Sequence, residues 1–204
     1  MAIHVVDYEL MPKQANEMRG YAKELNGEMT KAYATVGEMH QAWYGKRYNE
    51  LVVAFNNMIP SLNEMLKLIV TDIPSALERI ANNYAQVDKG QNVTAVSTEE
   101  PNRLVELAIT EDVGLHYLNA EVAAAKSRIL ANFDNAKDKM NQIESVYAKL
   151  VWQSSDASEA FKSTFTRLKG EIVSSFENIN VQFTKLMDQT QQDIEQAEKA
   201  NTVN

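Results

Sequence analysis

Cysteine is absent from the 204 residues, so disulfide frameworks, thiolate metal sites and cysteine nucleophiles are excluded. Glycine and proline are scarce at 7 and 4, about half the usual combined share of roughly 12%. That scarcity argues against a turn-dense sandwich or barrel. No two glycines lie closer than Gly20 and Gly27, so neither a dinucleotide-binding glycine fingerprint nor a phosphate-cradling loop can be written. Long apolar runs are missing too. Leu51 to Phe55 and Leu66 to Val70 fall far short of the ~20 residues of a membrane helix. Positive charge is outnumbered, 20 Lys and Arg against 28 Asp and Glu, and each half of the chain carries −4. With no basic stripe to neutralise phosphates, nucleic acid and anionic membrane surfaces are poor partners.

His4, His40 and His116 stand apart from one another and from any bundle-type Glu-x-x-His pattern, and no serine elbow motif occurs. No enzyme activity, cofactor or metal is therefore expected. His40 reads as a packed or rim histidine. The acid pairs Glu99-Glu100 and Glu111-Asp112 read as helix-start residues complementing the dipole. The N-terminal segment has no basic region ahead of an apolar stretch, so no cleaved signal peptide is expected.

What is present is helical periodicity. Leu51, Phe55, Met58, Leu62, Leu66, Ile69, Ile73 and Ala76 are separated by steps of four and three, the spacing of one helix face. Phe161, Phe165, Leu168, Ile172, Phe176, Ile179, Phe183 and Leu186 repeat the same steps 110 residues later. Two further stripes precede them, from Met18 to Met39 and from Ile129 to Leu150. Each half is thus expected to be a long helix, a turn and a second long helix. Pro60 and Pro74 interrupt the second helix, where an interior proline costs about 3 kcal/mol or a kink; Asp72 before Pro74 suggests a break and restart. The nine methionines read as adaptable core filler.

Tryptophan marks both turns, as Trp43-Tyr44-Gly45 and as Trp152-Gln153-Ser154. Gly45 suits a turn because it reaches positive φ without steric cost. Between the halves, Lys89 to Ser97 lacks helical phasing and reads as a linker. Thr98-Glu99-Glu100-Pro101 then looks like a helix start, giving an expected short helix near 99–108 and a long helix from 111. The division is a first hairpin at 1–88, a linker with a short helix at 89–110, and a second hairpin at 111–204. Four amphipathic helices with narrow stripes predict an all-α, elongated four-helix bundle.

A hairpin of about ninety residues with Trp43-x-Gly45 at its turn resembles the WXG family of early-secreted-antigen-like proteins, leaderless substrates of type VII secretion. The family also carries a Y-x-x-x-D or Y-x-x-x-E signal near the end of the second helix, and Tyr84 to Asp88 stands just before the linker. Tyr117 to Glu121 is a second such pair, and about one is expected by chance. The second half departs from the pattern: Ser154 replaces the motif glycine, and Ile194 occupies the position matching Tyr84. It looks like the divergent partner of a heterodimeric pair, fused head to tail.

The resemblance implies a protein that works through protein–protein contacts. Its partners would be a secretion ATPase with its export machinery and a co-secreted effector or host protein, without nucleic acid or membrane insertion. It implies a monomer that is a pseudo-heterodimer, cytoplasmic before export and secreted or surface-associated after it. The alternative is a cytosolic helical adaptor or chaperone without a secretion role. Trp43 and Trp152 could simply be apolar caps of the hairpin ends. Tyr84 continues the stripe through Ile80 and Val87, so it is expected to pack as well as to signal. In the resembled pairs the hairpins run antiparallel. Residues 89–110 can span such a rod, since about 12 extended residues and a ten-residue helix cover roughly 55 Å.

Overall fold

A computed structural model describes residues 7–149 and 156–201. The first stripe forms α1, Met11–Met39, with Met18, Ala22, Leu25, Met29, Ala32, Val36 and Met39 all buried. A two-residue strand β1, Trp43–Tyr44, leads into Gly45 at φ 112°. A Cβ added there would meet the Gly114 carbonyl oxygen at 3.2 Å, so glycine is required by both conformation and space.

The return limb is interrupted at each proline. α2 spans Lys46–Asn56 and α3 spans Ile59–Lys67, with Pro60 in the first turn of α3 where its missing N–H is harmless. A π-helical turn, Leu68–Asp72, then leads into α4, Ile73–Lys89, with Pro74 in its first turn. Pro74 has no N–H to give the Val70 carbonyl four residues back. Arg19 of α1 does so instead, its Nε donating to that oxygen at 3.0 Å. The guanidinium also makes a two-pronged contact with Glu78, both side chains being almost fully buried.

The π turn inserts extra backbone and shifts the helix phase. Upstream, Leu62, Leu66, Ile69 and Ile73 face the core as expected; downstream the buried aliphatic residues are Leu77, Ala81 and Ala85, in steps of four, with Ser75, Glu78 and Asn82 buried beside them. Of the expected continuation, Ala76 and Ile80 are only partly buried, Ile80 against the edge of the core, and Tyr84 and Val87 are turned outward. Tyr84 is 46% exposed and Val87 89% exposed, which corrects the expectation that Tyr84 packs.

Gly90, at φ 67°, closes α4. The chain then runs extended to β2, His116–Tyr117, and α5 begins at Asn119. The short helix expected near 99–108 does not form, nor does a helix start at 111. Glu100 precedes a proline, which disfavours helical backbone, and the segment's main-chain groups are taken up by side chains of the neighbouring helix. Asn49, Asn56 and Asn63 each bond both the N–H and the C=O of one strap residue, Thr110, Leu107 and Leu104 respectively. Asn82 does the same around Thr94, while Thr71 and Ser75 donate to the carbonyls of Glu99 and Ser97.

β1 and β2 pair antiparallel, Trp43 opposite Tyr117 and Tyr44 opposite His116. The first turn therefore lies beside the start of α5, Asn119–Ala148. At the other end of the rod, Gln14 near the start of α1 donates to the Lys149 carbonyl at 3.0 Å. α1 and α5 are antiparallel, and so are the two hairpins, as expected. The linker accordingly runs the length of the rod, as an extended strap throughout.

α6, Asp156–Asn201, completes the bundle, with Phe165, Leu168, Ile172, Phe176, Ile179, Phe183 and Leu186 buried. At 46 residues it is about 69 Å long at 1.5 Å per residue. One aromatic layer draws on all four limbs. Tyr33 meets the Phe55 ring edge-on at 5.4 Å, Phe55 lies 5.8 Å from Phe133, and Phe133 stacks on Phe176 at 4.2 Å. The two hairpins share one core, and offset stacks of this kind add to their area burial.

Candidate functional site

The two ends of the rod separate the residues singled out in the sequence. Trp43 is fully buried at the first turn. Its indole stacks on Phe183 at 5.9 Å and meets Tyr48 and Tyr117 edge-on, so the second hairpin seals it. This is the cap role, carried out by both hairpins together. His40 sits beside it, near the rings of Tyr44 and Tyr48, with Nε2 2.6 Å from Asp112. The hydrogen bond from His40 holds the Asp112 carboxyl below its ordinary value. Asp112 is thus a tie between strap and α1 rather than a helix-start residue. Among the described residues, no cluster of His, Asp and Glu is arranged to hold a metal ion.

Tyr84 and Asp88 lie at the opposite end, one turn apart on the last stretch of α4. Tyr84 is half exposed, but the Asp88 carboxylate is engaged: the Tyr8 hydroxyl donates to its Oδ2. That bond is the main reason the Tyr8 phenol is held above its ordinary value. Lys89 pairs with Glu9 at 2.8 Å, and its ammonium lies 5.3 Å from the centre of the Tyr8 ring. Asp88 stands near the negative end of the α4 dipole, a mildly unfavourable place for an acid; Tyr8 and Lys89 offset it. The sequence reading missed Tyr8, Glu9 and Lys89 because their pairing joins positions about 80 residues apart.

The fold brings this group to the end where α5 finishes and α6 begins, since Gln14 reaches Lys149 there and Lys169 of α6 pairs with Glu144 of α5. Trp152 and Ser154, the expected counterparts of Trp43 and Gly45, lie outside the described residues.

Antiparallel helical hairpins, one of them turning through Trp43-x-Gly45, define a bundle-forming hairpin protein. Residues 5–89 match the family model WXG100, proteins of 100 residues with WXG, so the first hairpin is similar to the proteins of that family. The match ends at the strap. No curated protein and no solved structure matches the chain significantly. No helix among the described residues is long and apolar enough to cross a membrane.

Proposed function

We propose that this protein is a substrate or carrier of a type VII, ESX-like secretion system, acting through protein–protein contacts with the second hairpin in place of a separate partner subunit. The observation that supports this most is the placement of Tyr84 and Asp88. The π turn rotates Tyr84 off the core, and antiparallel packing sets the pair at the end where the second hairpin reverses. An exposed aromatic one helical turn from a carboxylate offers a secretion ATPase an apolar anchor beside an acceptor. Trp43, being buried, supports the fold of the signal-bearing hairpin rather than forming a contact surface.

Export is tested by blotting culture supernatant from wild-type cells and from cells lacking the secretion ATPase. Wild-type protein is expected outside only when the ATPase is present. Tyr84→Ala and Asp88→Ala should abolish export with melting temperature nearly unchanged, because neither side chain is in the core. Supernatant levels equal to wild type for both variants would leave the cytosolic adaptor reading in its place.

A further inference from the structure

Asn49, Asn56 and Asn63 recur every seven residues and hold Thr110, Leu107 and Leu104, which recur every three along the strap. Two helical turns and three extended residues both cover about 10 Å, so the pairs stay in register. Three residues per turn is the period of a polyproline-type strand, which bonds none of its own main chain. One strap residue in three therefore faces α2 and α3, and the other two face outward. Among the described residues, the N–H and C=O groups of Val105, Glu106, Ala108 and Ile109 have no protein partner.

The outward residues are of two kinds. Val105, Ile109 and Val113 are exposed by 78%, 57% and 100%, an apolar row on the surface. Val53, on the helix face that carries Asn49 and Asn56, is exposed as well. Between the apolar residues stand acids. Residues 98–113 hold five acids and one arginine, a net −4 that is half of the chain's −8. Lys23 pairs with Glu99 and His40 with Asp112, whereas Glu100, Glu106 and Glu111 are exposed and carry no ion pair among the described residues.

We infer that the outward face of the strap, from Val105 to Val113, is a docking surface for a partner protein that presents apolar side chains flanked by lysine or arginine. The strap takes the part of a bound peptide that the asparagines already hold straight, so little further ordering opposes association. Exposed apolar side chains in a row supply contact area, and the acids among them select the sign of the partner's charge. A second copy docking strap to strap would set these acids against one another, and nucleic acid or an anionic lipid surface would be repelled in the same way. The strap stays in place when this face is used. The surface stands apart from Tyr84 and Asp88 and does not depend on the export reading.

The probe is a fluorescent peptide alternating lysine with valine, titrated into the full chain. Anisotropy should rise to saturation. Amide NMR shifts should be confined to residues 103–113 and the α2 face beside them, with the amides of Leu104, Leu107 and Thr110 still protected from exchange. Val105→Ser, Ile109→Ser and Val113→Ser together should weaken binding about tenfold or more. Glu106→Gln with Glu111→Gln should weaken it as well, with helix content unchanged because these side chains face solvent. Glu177→Gln with Glu195→Gln removes the same charge from α6 and should leave affinity as it was. Should the serine variant lose helix content, the two charge variants decide. Absence of saturable binding, shifts centred away from the strap, or equal weakening by the α6 charges would overturn the assignment, as would equal binding of a peptide with glutamate in place of lysine. If light scattering shows a dimer that the serine variant dissociates, the occupant is a second copy and the basic partner is refuted.

Discussion

Arg19→Met tests whether the proline-broken limb is held by a buried ion pair. The guanidinium bonds Val70, whose carbonyl Pro74 leaves without its usual helical donor, and both oxygens of Glu78. The carboxylate in turn accepts from the Ser97 N–H of the strap at 2.7 Å. Removing the cation leaves Glu78 uncompensated at 3% exposure and Val70 without a donor. Breaking a buried pair in this way costs about 3–5 kcal/mol. At roughly 2–4 °C per kcal/mol for a chain of this size, melting should fall by about 6–20 °C. Glu78→Met should cost a similar amount by stranding the arginine.

The double variant Arg19→Met/Glu78→Met strands no charge and leaves only the Val70 and Ser97 groups unpaired, about 1–3 kcal/mol each. It should therefore be much less destabilised than the sum of the single variants. The assay is urea unfolding followed by helical circular dichroism, assembled as a double-mutant cycle. An Arg19→Met variant within 1 kcal/mol of wild type (roughly a fivefold change in the folded-to-unfolded ratio), or single effects that simply add, would refute the reasoning.

Phe183→Ala opens a cavity beside Trp43 and should cost about 3–5 kcal/mol, with a red shift of tryptophan emission; an unchanged spectrum would contradict the stack. Asp112, Glu28 and Glu171 are held below their ordinary carboxyl values chiefly by hydrogen bonds from His40, Lys31 and Arg167 respectively. The stability they lend is complete above those ordinary values, 3.8 for Asp and 4.5 for Glu, and is lost as pH falls through the depressed ones. Their NMR titration midpoints should all lie below 3.8 and 4.5 respectively. Burial, with a smaller contribution from Asp112, pushes the Tyr48 phenol up to about 12. Its support is complete below the ordinary 10.0 and disappears as pH rises through that raised value, so ultraviolet titration should show the buried Tyr48 ionising well above 10.0, with loss of helix. Because the second hairpin covers the first hairpin's apolar face, light scattering should give the monomer mass of 23.0 kDa, while residues 1–90 alone should associate or precipitate.

Sequence by itself determined the four helical limbs, the core faces of all but α4 and the turn at Gly45, because those features rest on local periodicity and on one backbone conformation that glycine alone adopts easily. The antiparallel hairpins were suggested by the family resemblance, and the linker's length only allowed them. Three things were decided only in the tertiary structure. The π turn at Leu68–Asp72 shifted the phase of α4 and turned Tyr84 outward, an outcome that depends on Arg19 of another helix satisfying the Val70 carbonyl. The strap stayed extended although Thr98 to Pro101 reads as a helix start, since carboxamides on α2 and α3 meet its main chain in register. Tyr8 met Asp88 across 80 positions. Local spacing encodes which way a helix face points until a long-range partner makes a different phase cheaper, and at Pro74 such a partner is present.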